Sequence, residues 1–399
     1  MGIRKHLKAL LFLVIVSTFS SGVIAAPSNA EIFEMMQEMK QEIRQLKEEN
    51  NKLKGTVEDV AISTDEAIKA QIKLANKTYY GGYGEIHGNW LEGQDSGTSD
   101  TDKVDFHRFV LFFGHEFRDD LRFFSELELE HSIAGESQTG EIELEQAFIQ
   151  YDWNEATQIT GGVFLVPIGI MNETHEPETF YGTERNNVEV KIVPGTWWEG
   201  GVMVTKILQP GLSADLAITT GLKGTSADSY NPSSSRQKVG NATADSLMAT
   251  GRLKYTAPGL ELAATAVIQS DYCNGNGDGC GSANLIETHV VLQKGKAQLR
   301  ALYARWDIDG ADVRAIGADE QDGYYIEPSY KFTDKFGVFA RYSMFDNKAN
   351  SGTDTEKKQY DIGLNYWIDP TVVVKFDYSD QNYASGERDG INLGLGYSF

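Results

Sequence analysis

Cations, cysteines, prolines and long apolar runs are all scarce along these 399 residues. The 36 Lys and Arg stand against 58 Asp and Glu, a net charge of -22. That deficit excludes a nucleic-acid partner, because neutralising phosphates takes a basic surface. Beyond the N-terminal segment no stretch approaches the roughly eighteen apolar residues that a helical span requires, so a membrane location would demand a closed barrel. Catalytic motifs are missing as well. Outside residues 1–25 the histidines, among them His107 and His131, lie in no Gly-x-Ser-x-Gly or His-Glu-x-x-His context, and Gly81, Gly82 and Gly84 begin an extended run instead of following one. Neither an enzyme nor a resident metal or cofactor is expected.

What is abundant is Gly, at 40 residues, with 18 Tyr and 19 Phe, a composition suited to strands. Three domains follow. Residues 1–25 place Arg4, Lys5 and Lys8 ahead of the apolar run from Ala9 to Phe19, with small residues around Ala25, which reads as a signal peptide cleaved after Ala25. Across 26–76 apolar residues recur at alternating steps of four and three, as in Ile32, Met36, Met39, Ile43 and Leu46, with Asn50 on the same seam. This predicts a self-associating coiled coil whose Asn50 sets register. From residue 77 to 399 the period is two.

In Ile391 to Phe399 one face holds Ile391, Leu393, Leu395, Tyr397 and Phe399, and the other Asn392, Gly394, Gly396 and Ser398. Similar segments begin near residues 79, 104, 121, 142, 157, 197, 212, 246, 259, 284, 297, 323, 335, 359, 371 and 389. Arg108 and Gln146 interrupt the pattern in the second and fourth. Short junctions alternate with long ones, the last long ones covering 347–358 and 382–388. A sandwich would bury the apolar faces, but export, alternating junctions and aromatics near strand ends (Tyr79, Tyr80, Trp90, Trp153, Trp367, Tyr397) favour an all-β, sixteen-stranded antiparallel transmembrane barrel facing outer-membrane lipid.

One stretch stands apart. Phe164 to Val202 leaves a strand, runs for nearly thirty residues without a period and returns through Trp197 and Trp198, so it reads as a loop that folds into a pore and narrows it. The run NETHEPETFYGTERNNVEVKIVPGTWWEGG, with ELEQAFIQYDW before it and Phe399 at the end, resembles the phosphate-selective porin O and P family of Gram-negative outer membranes. The resemblance implies a trimeric diffusion channel of sixteen strands, a third outer loop inside the lumen, and a role for Phe399 in barrel assembly. It also implies a ladder of lumenal arginines, which cannot be placed here.

The faces opposite the apolar ones would line water. They carry Glu126, Glu128, Glu130, Asp361 and Asp377 against Arg122, Arg341 and Lys375, and the long loop adds Glu173, Glu176, Glu178 and Glu184 against Arg185 and Lys191. A narrow lumen focuses such fixed charge. Low or cation-leaning selectivity for small solutes and ions is therefore expected. Two readings compete with it: an anion or phosphate channel in which Arg108, Arg252, Arg300 and Arg305 converge, and a structural anchor reaching the cell wall through a periplasmic coiled coil. Cys273 and Cys280 bracket NGNGDG and are expected to pair as a staple; the same loop weakly resembles the start of a calcium loop.

Overall fold

The computed structural model describes residues 40–41, 44–50, 52, 77–275 and 279–399. The expected signal peptide and most of the expected coiled-coil seam lie outside the described residues; those described between 40 and 52 are helical. Residues 1–76 and 77–399 are separate units.

The second unit is sixteen antiparallel strands: β1 (Thr78–Gly93), β2 (Thr101–Arg118), β3 (Leu121–Glu130), β4 (Ile142–Asn154), β5 (Thr157–Leu165), β6 (Trp198–Gln209), β7 (Leu212–Thr219), β8 (Met248–Ala257), β9 (Leu260–Gln269), β10 (Cys280–Lys294), β11 (Ala297–Gly310), β12 (Glu320–Thr333), β13 (Phe336–Asp346), β14 (Lys357–Asp369), β15 (Val372–Tyr383) and β16 (Gly386–Ser398). Each pairs with its neighbours in sequence, and β1 pairs with β16 to close the barrel. The C-terminal residue completes the seam, with Phe399 N–H donating to the Gly82 carbonyl at 2.9 Å and Gly82 N–H to the Phe399 carbonyl at 3.1 Å.

The barrel is inside out relative to a soluble sandwich. Ile286 and Ile362 are 59% and 62% exposed, while their neighbours Glu287 and Asp361 are 0% and 4% exposed. An outer surface this apolar around a charged interior is what lipid on one side and water on the other select. All seven junctions at one end are two-residue turns, and in three of them Gly211, Gly259 and Gly295 adopt the positive φ, 81°, 74° and 61°, that glycine tolerates best. The opposite end carries the longer loops, with one exception. The connection expected at 382–388 is only residues 384–385, because β15 and β16 stay paired up to Tyr383 and Gly386.

The two strands with broken alternation contain β-bulges. The β1–β2 register shifts between Glu85 and His87, and the β3–β4 register between Glu126 and Leu127. An extra residue in one strand lets two successive side chains face the same way. Thus His107 and Arg108 both turn inward, as do Glu145 and Gln146: His107 stacks on His87, Arg108 bonds Glu85, and Gln146 bonds Glu126.

Candidate functional site

Residues 166–197 turn into the barrel at its loop end. Val166 N–H donates to the Trp197 carbonyl at 2.8 Å, and Asn172 ties the neck: its Nδ2 donates to the carbonyls of Val166 (2.8 Å) and Trp197 (3.0 Å), and its Oδ1 accepts from Trp197 N–H (2.6 Å). The chain then descends almost to the turn end. There the Glu178 carbonyl accepts from Trp367 Nε1 (3.2 Å) and its carboxylate from Ser398 Oγ (2.7 Å). Trp367 is therefore no outer girdle residue. Alternation along β14 puts it on the inward face with Asp361 and Asn365, where the Tyr181 ring stands edge-on to it at 5.6 Å, and Gly337 leaves the space for Tyr181, whose hydroxyl would lie 2.3 Å from a Cβ there.

The returning limb climbs along β13 to β16. Asn365 Nδ2 donates to the Phe180 carbonyl (2.9 Å), and Arg341 donates to the carbonyls of Tyr181 (3.4 Å) and Glu184 (3.3 Å). Lys375 Nζ sits 3.3 Å from the centre of the Phe180 ring. The upper loop rests on an apolar seat, where Val188, Ile192, Val193 and Trp197 pack with Leu302, Trp306, Tyr325 and Phe345. Truncating a large side chain buried as fully as Trp306 costs on the order of 3–5 kcal/mol. A uniformly wet inner face is thus the wrong expectation for β10 to β13. The apolar inward set Leu302, Ala304, Trp306 and Ile308, opposite Arg305 and Asp307, was the readable sign of a seat.

Glu189 is structural and does not line the cavity. Its carboxylate accepts from Ile170 N–H, Met171 N–H and the Tyr325 hydroxyl, each at 2.7 Å, and burial pushes its pKa up despite these donors. Gly169 makes this approach possible: it has φ 71°, and a Cβ there would meet a Glu189 oxygen at 2.6 Å.

The loop charges expected to act together are dispersed. Glu173 pairs with Arg252 on the β8 wall, which also donates to Asp215 at 2.8 Å. Glu176 precedes a short 3-10 turn and is half-buried. Glu178 is near the turn end, and Glu184 contacts His87 (3.2 Å) and Asn89 (2.9 Å). Arg185 donates to Thr196 Oγ1 at 2.6 Å, and Lys191 is exposed. Glu126, Glu128, Arg341, Asp361, Lys375 and Asp377 are all buried on the inner face. Arg122 pairs with Asp152 toward the turn end, and Glu130 lies at the loop end of β3.

A cavity of about 410 Å³ lies between wall and loops. On its wall side Glu85, Glu128, Glu130, Glu143 and Glu145 outnumber Lys103 and Arg108, and on its loop side Arg185, Lys191 and Arg236 outnumber Glu184. Arg236 comes from residues 220–247, a loop with no sequence sign of entering the barrel; its Nη1 donates to the Thr196 carbonyl at 2.6 Å. The adjacent Lys238 bridges Glu141 (2.8 Å) and Glu143. Near the loop end, His131 Nδ1 lies 2.8 Å from Asp105, and His107 Nδ1 3.5 Å from it. Arg108, Arg252 and Arg300 face the interior, but Arg305 lies on the outward set with Asp307 and Glu320. Cys273 and Cys280 are bonded, their Cα atoms 5.6 Å apart. The Asn274 side chain is committed to the carbonyls of Leu222 (3.3 Å) and Thr243 (3.0 Å); residues 276–278 are outside the described residues.

Burial raises the Glu184 pKa, but hydrogen bonding and charge from His87 overcome it and hold the carboxyl at about 2. A depressed carboxylate stabilises the folded form above its unfolded value, and that support is lost as pH falls through the folded value. The loop's attachment here should be unchanged from pH 7 to 5 and weaken between about 4 and about 2. Loop cleavage by an acid-stable protease checks this, and Glu184→Gln should give at neutral pH the cleavage that acid gives in the unmodified protein.

The profile of the phosphate-selective porin O and P family matches residues 80–392. An uncharacterised protein of Aquifex aeolicus (strain VF5) is 28% identical over 353 residues, covering 78% of this chain and 77% of that one. The anion-selective porin from Comamonas acidovorans superposes with a TM-score of 0.58 at 12% identity, covering 81% of this chain and 99% of that one. In vitro folded OmpT of Vibrio cholerae, in its trimer form, gives 0.53 at 11% identity, covering 81% and 99%. At such identities the structural likeness is one of fold.

Proposed function

This chain belongs to the phosphate-selective porin O and P family, a family of outer-membrane channels, and from that premise we propose a passive pore for small hydrophilic solutes with weak cation preference. One observation carries the reading. The buried inner-face arginines are matched by carboxylates: Arg108 by Glu85 (2.6 Å), Arg252 by Asp215 and Glu173, and Arg341 by Asp361 (3.0 Å) and Glu327 (3.3 Å). An arginine so paired offers little field to a passing anion. Along the cavity, an acidic wall then faces a basic loop surface, a transverse field that orients solutes while the opposed charges largely cancel.

The reversal potential in a planar bilayer under a KCl gradient tests this. A modest potential of the K+ sign is expected, shrinking as salt screens the wall. Replacing Glu128, Glu130 and Glu143 by Gln should carry it to the Cl- sign, since Arg185, Lys191 and Arg236 would remain. A Cl- sign in the unmodified protein would sink the reading in favour of an anion channel. The family and fold point to a channel and not an enzyme. A homotrimer is the assembly we favour, after the trimer form of OmpT. For residues 26–76 we propose a periplasmic coiled coil that assists assembly, following the cleaved segment 1–25.

A further inference from the structure

We propose that Glu126, Glu145 and His175 bind one divalent transition-metal ion that pins the inner loop to the barrel wall. His175 Nε2 lies 3.6 Å from Glu126 Oε1 and 4.0 Å from Glu145 Oε2, and the three side chains are 4%, 2% and 2% exposed. One ligand atom from each lies within 4.8 Å of the others.

Three features make this a built site beyond a buried ion pair. His175 Nδ1 is 3.0 Å from the Asn172 carbonyl, which can only accept, so Nδ1 carries a proton and Nε2 points at the carboxylates. That backbone contact is the outer support typical of a ligating imidazole, and Asn172 is itself held by the loop's neck. Next, Glu145 Oε2 is buried with no hydrogen-bond partner. An orphaned carboxylate oxygen in a water-poor site is costly, and a cation removes the cost. Finally, Glu145 faces inward because of the β4 bulge, which places it beside the Gln146 that holds Glu126 at 2.5 Å.

One imidazole and two carboxylates suit a first-row ion such as Zn2+, whereas Ca2+ takes six to eight oxygens. Tetrahedral bonds of about 2.0–2.2 Å hold ligand atoms roughly 3.3–3.6 Å apart, so closing this cluster takes shifts of about an ångström or less. The loop contributes one ligand and the wall two. The ion would therefore couple loop position, and with it conductance, to metal supply. The inference rests on the loop lying inside the barrel, not on the sign of ion selectivity.

Zn2+ is the probe. The full chain is stripped with chelator, titrated with Zn2+ and assayed for bound metal, with Co2+ absorption as a second readout. The His107→Ala/His131→Ala variant serves as background, since it removes the other His-rich cluster near the loop end. One Zn2+ per chain should bind there, with Co2+ giving the visible bands of a low-coordinate site. Glu145→Gln, which keeps the side chain's shape, and His175→Ala should each weaken binding at least about tenfold, while both still migrate as folded barrels on unheated gels. No Zn2+ bound by the background variant, or binding that Glu145→Gln leaves unchanged, overturns the proposal. Failure of the channel reading would show separately, as no conductance in bilayers.

Discussion

Single-channel conductance is expected to rise several-fold when residues 173–191 are replaced by a short Gly-Ser link that leaves the neck, Val166 to Asn172 and Ile192 to Trp197, in place. The excised segment is the part that descends to Ser398 and Trp367 and returns past Asn365, Arg341 and His87. Nothing else among the described residues spans the interior over that depth, so its removal widens the path along most of its length. The gain comes with a loss of stability. Trp306 would lose part of its cover, and the Tyr325 hydroxyl its Glu189 partner. Folded barrel should still be recovered, because the sixteen strand pairings do not involve the loop. A conductance equal to that of the intact protein would mean that the loop does not limit flow.

Arg341→Met should give a large loss of stability for one substitution. The guanidinium donates to Asp361 (3.0 Å), Glu327 (3.3 Å) and the loop carbonyls of Tyr181 (3.4 Å) and Glu184 (3.3 Å). Both carboxylates and the arginine are almost fully buried, at 2–4% exposure. Removing one partner from such a set leaves uncompensated charge and costs about 3–5 kcal/mol. Lysine would not substitute, because a single ammonium cannot address four acceptors spread around a planar fork. The heat or urea needed to convert the folded barrel to the unfolded form on gels should drop markedly, and current through the channel should become noisier as the returning limb loosens. Adding Asp361→Asn should recover part of the stability. No change in unfolding midpoint in the single variant would show the cluster to be dispensable.

Much of the barrel was readable because period two is a local property. Alternation in β14 to β16 names lipid and water faces without knowing which strands are neighbours, and turns such as Gln209-Pro210-Gly211 announce themselves by backbone preference. The interruptions at Arg108 and Gln146 were visible too, although only pairing shows that they are bulges, because a bulge is defined by the residue opposite. The last connection is shorter than expected, because Ala384 to Arg388 has a polar composition that suits a loop or a tight turn equally well.

Strand number and an acidic inner wall therefore belong to the sequence, since each follows from residue type at short spacing, and so does the inward path of the 166–197 loop, which rests on a long run without a period and on the family resemblance. Which charges meet does not. Arg252 with Glu173, Glu184 with His87, Arg236 reaching the cavity from another loop, and Glu126 with Glu145 and His175 join residues far apart in the chain. Electrostatic energy depends on distances of a few ångströms, and only closure of the barrel around its loops brings those groups to such distances.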